Sequence, residues 1–182
     1  MDVNLLKKQL SNEIFPKPNH DGKTKLASVL VIIYGTEPKI IMIEKSKELN
    51  IHAGEIGFPG GKWHEDDNDL LDTALRETRE EIGLNISREN VIGQFENVKT
   101  LNSGFTISSF LSILNEIPQI KISAEVKSVL HMPLIPLLET FSEDNDPSHK
   151  SIQEMYTFTY KDKLVWGASA RILKHLVNRL SI

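Results

Sequence analysis

Residues 68–82 constrain the fold of this chain most, because the two sides of this segment differ in chemistry. Apolar groups recur at helical spacing at Leu70, Leu71, Ala74, Leu75, Thr78 (through its methyl) and Ile82. The other side is charged at Arg76, Glu77, Glu80 and Glu81. Asp67 or Asn68 is the expected N-cap, and Gly83 the expected left-handed residue at the C-terminus. The segment predicts an amphipathic helix with one buried face.

The remaining segments are mainly β-like. Strand-like runs at 25–34 and 39–44, with a turn at 35–38, predict a hairpin of largely buried strands. Further strand-like runs lie at 91–100, 105–114, 155–160 and 164–166. Helices are predicted at 2–15, 124–130 and 168–180. Residues 45–62 predict a loop, because Gly54, Gly57, Gly60 and Gly61 allow close approach of the backbone.

The composition excludes several classes of function. The chain has 182 residues, of which 40% are hydrophobic, as in one domain with a sizeable core. Its net charge of -4 provides no strong basic field for nucleic acid or an anionic membrane. The absence of Cys excludes thiolate catalysis and Cys-based metal sites. No apolar run approaches the roughly 20 residues that span a bilayer, so we expect a soluble cytoplasmic protein.

Three carboxylates of the predicted helix share one face. Glu77 lies four residues before Glu81 and three before Glu80. Like charges at this spacing destabilise a helix, and a divalent cation would offset them. Hard oxygen ligands suit Mg²⁺ or Mn²⁺, which bridge to substrate phosphates. The pattern indicates metal-assisted attack of water on a phosphate ester or anhydride. The alternative is a solvated face with Arg–Glu pairs, and the adjacent glycine loop favours the metal site.

The run from Arg76 to Leu84 resembles the second half of the Nudix box, Gly-x5-Glu-x7-Arg-Glu-U-x-Glu-Glu-x-Gly-U, where U is apolar. Arg76, Glu77, Glu80, Glu81, Gly83 and Leu84 occupy its positions in order. The first half differs, because the spacing from Gly61 to Arg76 is one residue longer and Asp67 or Asn68 stands where the first Glu belongs. Thr78 also replaces an apolar residue.

Flanking residues are similar to the coenzyme A pyrophosphatase branch of this family. They include Lys45-Ser46, His52-Ala53-Gly54, Phe58-Pro59-Gly60-Gly61, Ser103-Gly104-Phe105 and the run from Val165 to Leu173. The similarity covers most of the chain from Leu26 onward. Asn50 stands where the branch usually has Arg.

This resemblance implies an α/β fold, a Nudix-type α/β/α sandwich with a mixed sheet. The chain 1–182 is then a single Nudix hydrolase domain, with a helical lead-in at 1–20 and the box at 60–84. Implied metal ligands are Glu77, Glu80, Glu81 and the Gly61 carbonyl, while Arg76 orients the glutamates. Glu77 is the first candidate for the general base, and Glu125 is the second, although its position also fits a helix N-terminal acid.

The implied reaction cleaves the diphosphate of coenzyme A to 3′,5′-ADP and 4′-phosphopantetheine with Mg²⁺ or Mn²⁺. Implied substrate-binding residues are His52, Gly60 and Lys45; local hydrogen bonding is the alternative for His52. Lys45 and Lys47 are candidates for the 3′-phosphate, against simple solvation. Phe58 and Phe105 are candidates to pack on adenine or pantetheine, with core packing as the alternative.

Three alternatives remain open at this point. The substrate could be another nucleoside diphosphate derivative, such as ADP-ribose or NADH, or it could be a nucleoside triphosphate. The chain could be a Nudix ligand-binding module without turnover, or an unrelated domain with a charged helix. In each enzymatic case the partner is a small molecule and not nucleic acid or a membrane. The sequence makes no prediction of oligomeric state.

Overall fold

A computed structural model describes residues 2–18, 23–46, 54–101, 103–143 and 155–182. The helices are α1 (Val3–Leu10), α2 (Leu70–Ile82), α3 (Leu134–Leu138) and α4 (Gly167–Leu180). The first strands are β1 (Lys25–Tyr34), β2 (Lys39–Lys45), β3 (Ile56–Gly57), β4 (Gly60–Lys62), β5 (Val91–Gln94) and β6 (Val98–Lys99). The later strands are β7 (Phe105–Leu114), β8 (Val126–Pro133), β9 (Ser142–Glu143), β10 (Tyr156–Tyr160) and β11 (Lys163–Val165).

Strand β1 is the centre of a mixed sheet. It pairs antiparallel with β2, as the predicted hairpin requires, and parallel with β7 in register from Lys25↔Phe105 to Tyr34↔Leu114. The short strand β4 pairs with β1 beside β2, so that Ala27 lies opposite Lys62. β8 pairs with β2, and β5 and β6 pair with β7. β9, β10 and β11 form a smaller antiparallel sheet.

Helices cover both faces of the large sheet. Successive β1 side chains point to opposite faces, so Leu30 and Ile32 join the cluster that contains the apolar face of α2. Val31 and Ile33 join the second cluster, with buried residues of α1, α3 and α4. The arrangement confirms the predicted α/β/α sandwich with a mixed sheet.

Helix α2 starts later than the sequence predicted. Asp69 is the N-cap and accepts a hydrogen bond from the Asp72 amide at 2.9 Å, so the expectation of Asp67 or Asn68 was wrong. The Asp67 carboxylate instead bonds the Thr73 hydroxyl at 2.8 Å. Gly83 ends the helix at φ 72°, as predicted. Thr78 is buried, and its hydroxyl donates to the Ala74 carbonyl at 2.7 Å.

Residues 124–130 are not helical, which corrects the prediction for that segment. They contribute to β8, which pairs with β2 from Lys39↔Pro133 to Lys45↔Val126. The sequence of a short apolar run is compatible with a strand or with a helix, and here hydrogen bonding to the backbone of β2 selects the strand. The predicted loop at 45–62 also contains β3 and β4, while the predicted strand at 91–100 divides into β5 and β6.

The predicted N-terminal helix at 2–15 ends earlier, at Leu10. Beyond it, Asn12 pairs with β5 instead of continuing the helix. Its side-chain amide donates to the Gln94 carbonyl and its Oδ1 accepts from the Gln94 amide, both at 2.7 Å. The Phe15 amide then donates to Gln94 Oε1 at 2.7 Å. These bonds fasten the segment after α1 to the large sheet.

Within the described ranges, none of the helices has the length and apolar character needed to cross a membrane.

Candidate functional site

Strand β4 brings two glycines against the glutamates of α2. A Cβ atom on Gly61 would lie 2.4 Å from the Glu77 Cδ atom, so any other residue at this position would displace the Glu77 carboxylate. A Cβ on Gly60, at φ 152°, would lie 2.3 Å from the Ser28 carbonyl oxygen of β1. The glycine pair therefore lets β4 pair closely with β1 and leaves room for the Glu77 carboxylate of α2 against the β4 backbone.

Glu81 is a buried carboxylate with a partner on each oxygen. The residue is 3% exposed. Its Oε1 is in an ion pair with Lys45 at the end of β2, and its Oε2 accepts the Gly60 amide at 2.9 Å. Burial raises the pKa of Glu81, while the charge and hydrogen bond of Lys45 act in the opposite direction.

Arg76 connects three carboxylates. Its Nε and Nη2 donate to the two oxygens of Asp67 at 2.9 and 3.0 Å. Its Nη1 donates to Glu77 Oε1 at 2.8 Å and to Glu80 Oε2 at 3.1 Å. The hydrogen bond from Arg76 lowers the pKa of Asp67 below its ordinary value. Arg76 therefore connects Glu77 to Glu80 in the next turn of α2 and to Asp67 in the loop before the helix. These contacts fix the direction of the Glu77 side chain.

The three glutamates differ in access to solvent. The side chains of Glu77 and Glu80 are 20% and 54% exposed, whereas that of Glu81 is 4% exposed. In the ranges that the structure describes, no three His, Asp or Glu side chains converge closely enough to hold a metal ion. Arg76 and Lys45 supply two positive charges to this group of acids, fewer than its carboxylates.

The donor set nevertheless fits a hard divalent cation. Its members are carboxylates on successive turns of one helix, and Glu77 lies against a peptide that has no side chain to block access. Mg²⁺ and Mn²⁺ prefer such oxygen donors.

A cavity of about 480 Å³ opens beside these acids. Its walls are Lys62, Trp63, His64, Asp66, Asp67, Arg76 and Glu77. Its volume is within the range of small-molecule sites. Charged groups of both signs line it, as a site for a phosphate compound and its counter-cation requires.

The structure brings together most of the predicted site residues. Glu77, Glu81, Gly60, Gly61 and Lys45 meet where β2 and β4 face α2. The Lys45 ammonium group is in an ion pair with Glu81, so its contact with a 3′-phosphate stays a prediction. His52 and Lys47 lie outside the described residues.

Three further candidates have distinct surroundings. Glu125 is exposed and directly precedes β8, so its interpretation as a helix N-terminal acid was wrong. Its carbonyl accepts the Ser46 amide at 2.8 Å, next to Lys45. Phe58 is buried in the core on the α4 side, as its alternative interpretation predicted. Phe105 is half-buried, and the ammonium groups of Lys25 and Lys62 lie 5.6 and 5.8 Å from its ring centroid.

Two features of the site were missed by sequence reasoning. Asp67 was considered only as a helix cap or as the first acid of the motif, whereas it is a bidentate partner of Arg76. Lys62 was not singled out, although it directly follows Gly61 and lines the cavity. Its position beside the second glycine was the one available signal.

Comparison with known proteins identifies relatives in sequence. A family model described as NUDIX domain matches residues 24–158. The Nudix hydrolase NudL of Yersinia pestis, described as uncharacterized, is 31% identical over 160 residues, which cover 86% of this chain and 80% of NudL. NudL of Yersinia pseudotuberculosis is similar to the same extent.

Solved structures share the fold. A MutT/nudix family protein from Enterococcus faecalis has a TM-score of 0.63 at 16% identity over 93% of this chain, which spans 65% of that protein, just under two thirds. The NUDIX domain of Shewanella oneidensis NrtR, solved with ADP ribose, has a TM-score of 0.61 at 17% identity over 90% of this chain and 93% of that chain.

Proposed function

The chain belongs to the Nudix family and is a Nudix hydrolase, and on that premise we propose that it cleaves the diphosphate of coenzyme A or its derivatives. The proposed products are 3′,5′-ADP and 4′-phosphopantetheine. The observation that carries the reaction is the contact of Gly61 with Glu77, beside the buried Glu81. The similarity of Phe58-Pro59-Gly60-Gly61 and its flanks to the coenzyme A branch supports the choice of substrate.

In this proposal Glu77, Glu80, Glu81 and the Gly61 carbonyl hold Mg²⁺ or Mn²⁺. When bound, the metal supplies charge neutralisation of the diphosphate and a bound water of lowered pKa. Family members generally depend on such divalent cations.

The protein's own groups then orient the reactants. Arg76 holds Glu77 through the 2.8 Å hydrogen bond, and in this proposal the Glu77 carboxylate takes a proton from the attacking water. Water adds to one phosphorus and the bond from that phosphorus to the bridging oxygen breaks, which releases the other phosphate as an anion. Glu125 is the second candidate for the base, because its backbone lies beside Lys45 and Ser46.

A second substrate class is ADP-ribose, since the related fold of the NrtR domain was solved with ADP ribose. Separate assays of kcat/KM for coenzyme A, ADP-ribose, NADH and nucleoside triphosphates, each with Mg²⁺ or Mn²⁺, distinguish the two substrate classes. We expect coenzyme A to have the highest value. An equal or reversed ratio of coenzyme A to ADP-ribose would refute the substrate assignment.

The site assignment is tested with Glu81→Gln. We expect this variant to lose turnover while its circular dichroism spectrum is retained, because an amide oxygen is a poorer metal ligand than a carboxylate. Glu89→Gln is the matched control, since Glu89 is exposed outside the site. Full activity of Glu81→Gln with Mg²⁺ would contradict its role as a ligand.

A further inference from the structure

The ammonium groups of two lysines lie over the ring of Phe105, at the end of the sheet where β1 begins. Lys25 lies opposite Phe105 across the parallel pair, and Ala27 lies opposite Lys62. Residues 25 and 27 of one strand share a face, and so do paired residues. Lys25, Lys62 and Phe105 therefore project from the same face. This is the face covered by α4, because the intervening Leu26 packs with the cluster of α2.

Both ammonium groups are exposed and lack an anionic partner. Lys25 Nζ contacts the Ser103 carbonyl at 3.5 Å, but in the part of the chain that the structure describes neither lysine is within ion-pair distance of a carboxylate. Other cations near the acidic site differ in this respect. Lys45 is paired with Glu81, and Arg76 with three acids.

Cation–π contact does not provide a counter-charge for either lysine. Both ammonium groups lie within cation–π distance of the same ring, at 5.6 and 5.8 Å from its centroid. An anion bound beside this ring would supply the counter-charge that both lysines lack.

One of the two lysines, Lys62, is also a residue of the cavity beside the acidic site. Lys62 lines the cavity together with Glu77 and Arg76, and its carbonyl accepts from Arg76 Nη2 at 3.4 Å. Gly61, which lies against Glu77, and Lys62 are successive residues of β4, and the Lys62 side chain is on the opposite face of that strand. A substrate at Glu77 therefore meets the Lys62 ammonium group when it passes around the end of β4.

We propose that Lys25 and Lys62, gathered on the Phe105 ring, bind a phosphate monoester that the substrate carries in addition to its diphosphate. Lysine ammonium groups are effective point-charge partners for such a dianion. Coenzyme A carries this group on its ribose, whereas 3′-dephospho-coenzyme A, ADP-ribose and NADH do not. This inference deepens the proposed function and rests on it for the identity of the substrate. It replaces Lys45 as the candidate for the 3′-phosphate.

Binding of two product-like nucleotides tests the site without turnover. Calorimetry compares adenosine 3′,5′-bisphosphate with 5′-AMP for the full chain. We expect the bisphosphate to bind about 10-fold more tightly, and we expect Lys62→Met and Lys25→Met each to reduce this ratio at least about threefold. Lys62→Arg should retain it. Lys8→Met, on the exposed side of α1, is the matched control and should leave the ratio unchanged.

The kinetic counterpart is the ratio of kcat/KM for coenzyme A to that for 3′-dephospho-coenzyme A. We expect Lys62→Met to lower it through KM. An unchanged ratio in both experiments would overturn the phosphate site. If wild-type protein cleaves neither compound but its preference for the bisphosphate depends on Lys62, the proposed function fails and the site stands. If coenzyme A is cleaved and neither the binding ratio nor the kcat/KM ratio changes in the lysine variants, the phosphate site alone fails.

Discussion

Lys45 and Glu81 form a charged pair at the most buried point of the site. Glu81 is 3% exposed, while 21% of the Lys45 side chain is exposed. A buried carboxylate without a counter-charge is costly, so Lys45 makes the ionised form of Glu81 tolerable in the protein without metal. This role differs from the substrate contact that the sequence indicated for Lys45.

Removal of Lys45 should therefore destabilise the metal-free protein. For Lys45→Met we expect the free energy of unfolding to fall by about 1–3 kcal/mol, because Glu81 retains only the Gly60 amide. Urea unfolding in the presence of EDTA measures it, with Lys8→Met as the control. Equal midpoints for Lys45→Met and wild type would show that the pair does not support the buried acid.

The adjacent glycines should respond differently to the same substitution. Gly61→Ala places its Cβ 2.4 Å from Glu77 Cδ, and that flexible side chain can turn away. We expect a native-like melting curve and a loss of activity of up to about 100-fold, because the carboxylate is misplaced.

Gly60→Ala instead directs its Cβ at backbone atoms of Ser28 and Val29, at 2.3 and 2.6 Å. These atoms belong to the backbone of the central strand and cannot move without distorting the sheet. We therefore expect the free energy of unfolding to fall by about 1–3 kcal/mol. Thermal unfolding and activity are measured for both variants. The account is contradicted if Gly61→Ala keeps full activity or if Gly60→Ala is as stable as wild type.

Among the secondary-structure elements, the sequence pattern alone was sufficient for β1, β7 and most of α2. The bounds of β1 and β7 match their predictions, and α2 differs only at its start. It was insufficient at 124–130, where pairing with β2 selected a strand. It also missed β3 and β4, because two or three residues carry no period and form strands only when β1 and β2 are already present.

A buried acid also connects the smaller antiparallel sheet, through β11, to the large sheet. Glu44 of β2 accepts from Lys127 of β8 at 2.7 Å and lies 3.3 Å from the Lys163 ammonium of β11. The hydrogen bond from Lys127 is the main cause that lowers the pKa of Glu44 below its ordinary value. A carboxylate with a lowered pKa in the folded state stabilises the fold above the unfolded pKa. That contribution is lost as pH falls through the folded value.

Glu44→Gln should remove this contribution. At neutral pH we expect the variant to unfold about 1–3 kcal/mol more easily, and we expect the difference from wild type to shrink below about pH 4.5. Chemical unfolding between pH 7 and pH 3 provides the test, with exposed Glu116→Gln as the control. A difference that grows on acidification would have the wrong sign for this account.

For the molecule as a whole, we propose that residues 1–182 form one domain. Both hydrophobic clusters include side chains of β1, and they lie on opposite faces of one sheet. The segment after α1 is joined to β5 by the Asn12–Gln94 hydrogen bonds, and Arg179 of α4 donates to the Gln94 carbonyl at 3.1 Å. The N-terminal lead-in and the last helix thus meet at the same strand.

The site could be predicted from the sequence where its residues share one helix. The spacing of Glu77, Glu80 and Glu81 places them on neighbouring turns of α2, and motif resemblance linked them to Gly61. The partners of these residues come from distant segments, and their identity depends on the sheet. Lys45 reaches Glu81 only because β2 ends beside α2. Lys25 and Lys62 lie at the same Phe105 ring only because β4 and β7 both pair with the start of β1.

We propose that this arrangement performs metal-dependent hydrolysis of the coenzyme A diphosphate. Mass spectrometry of the products after incubation with coenzyme A tests it directly, with Mg²⁺ or Mn²⁺ in one sample and EDTA in the other. We predict 3′,5′-ADP and 4′-phosphopantetheine only in the sample with metal. Intact coenzyme A in both samples, or the same products in the presence of EDTA, would contradict the account.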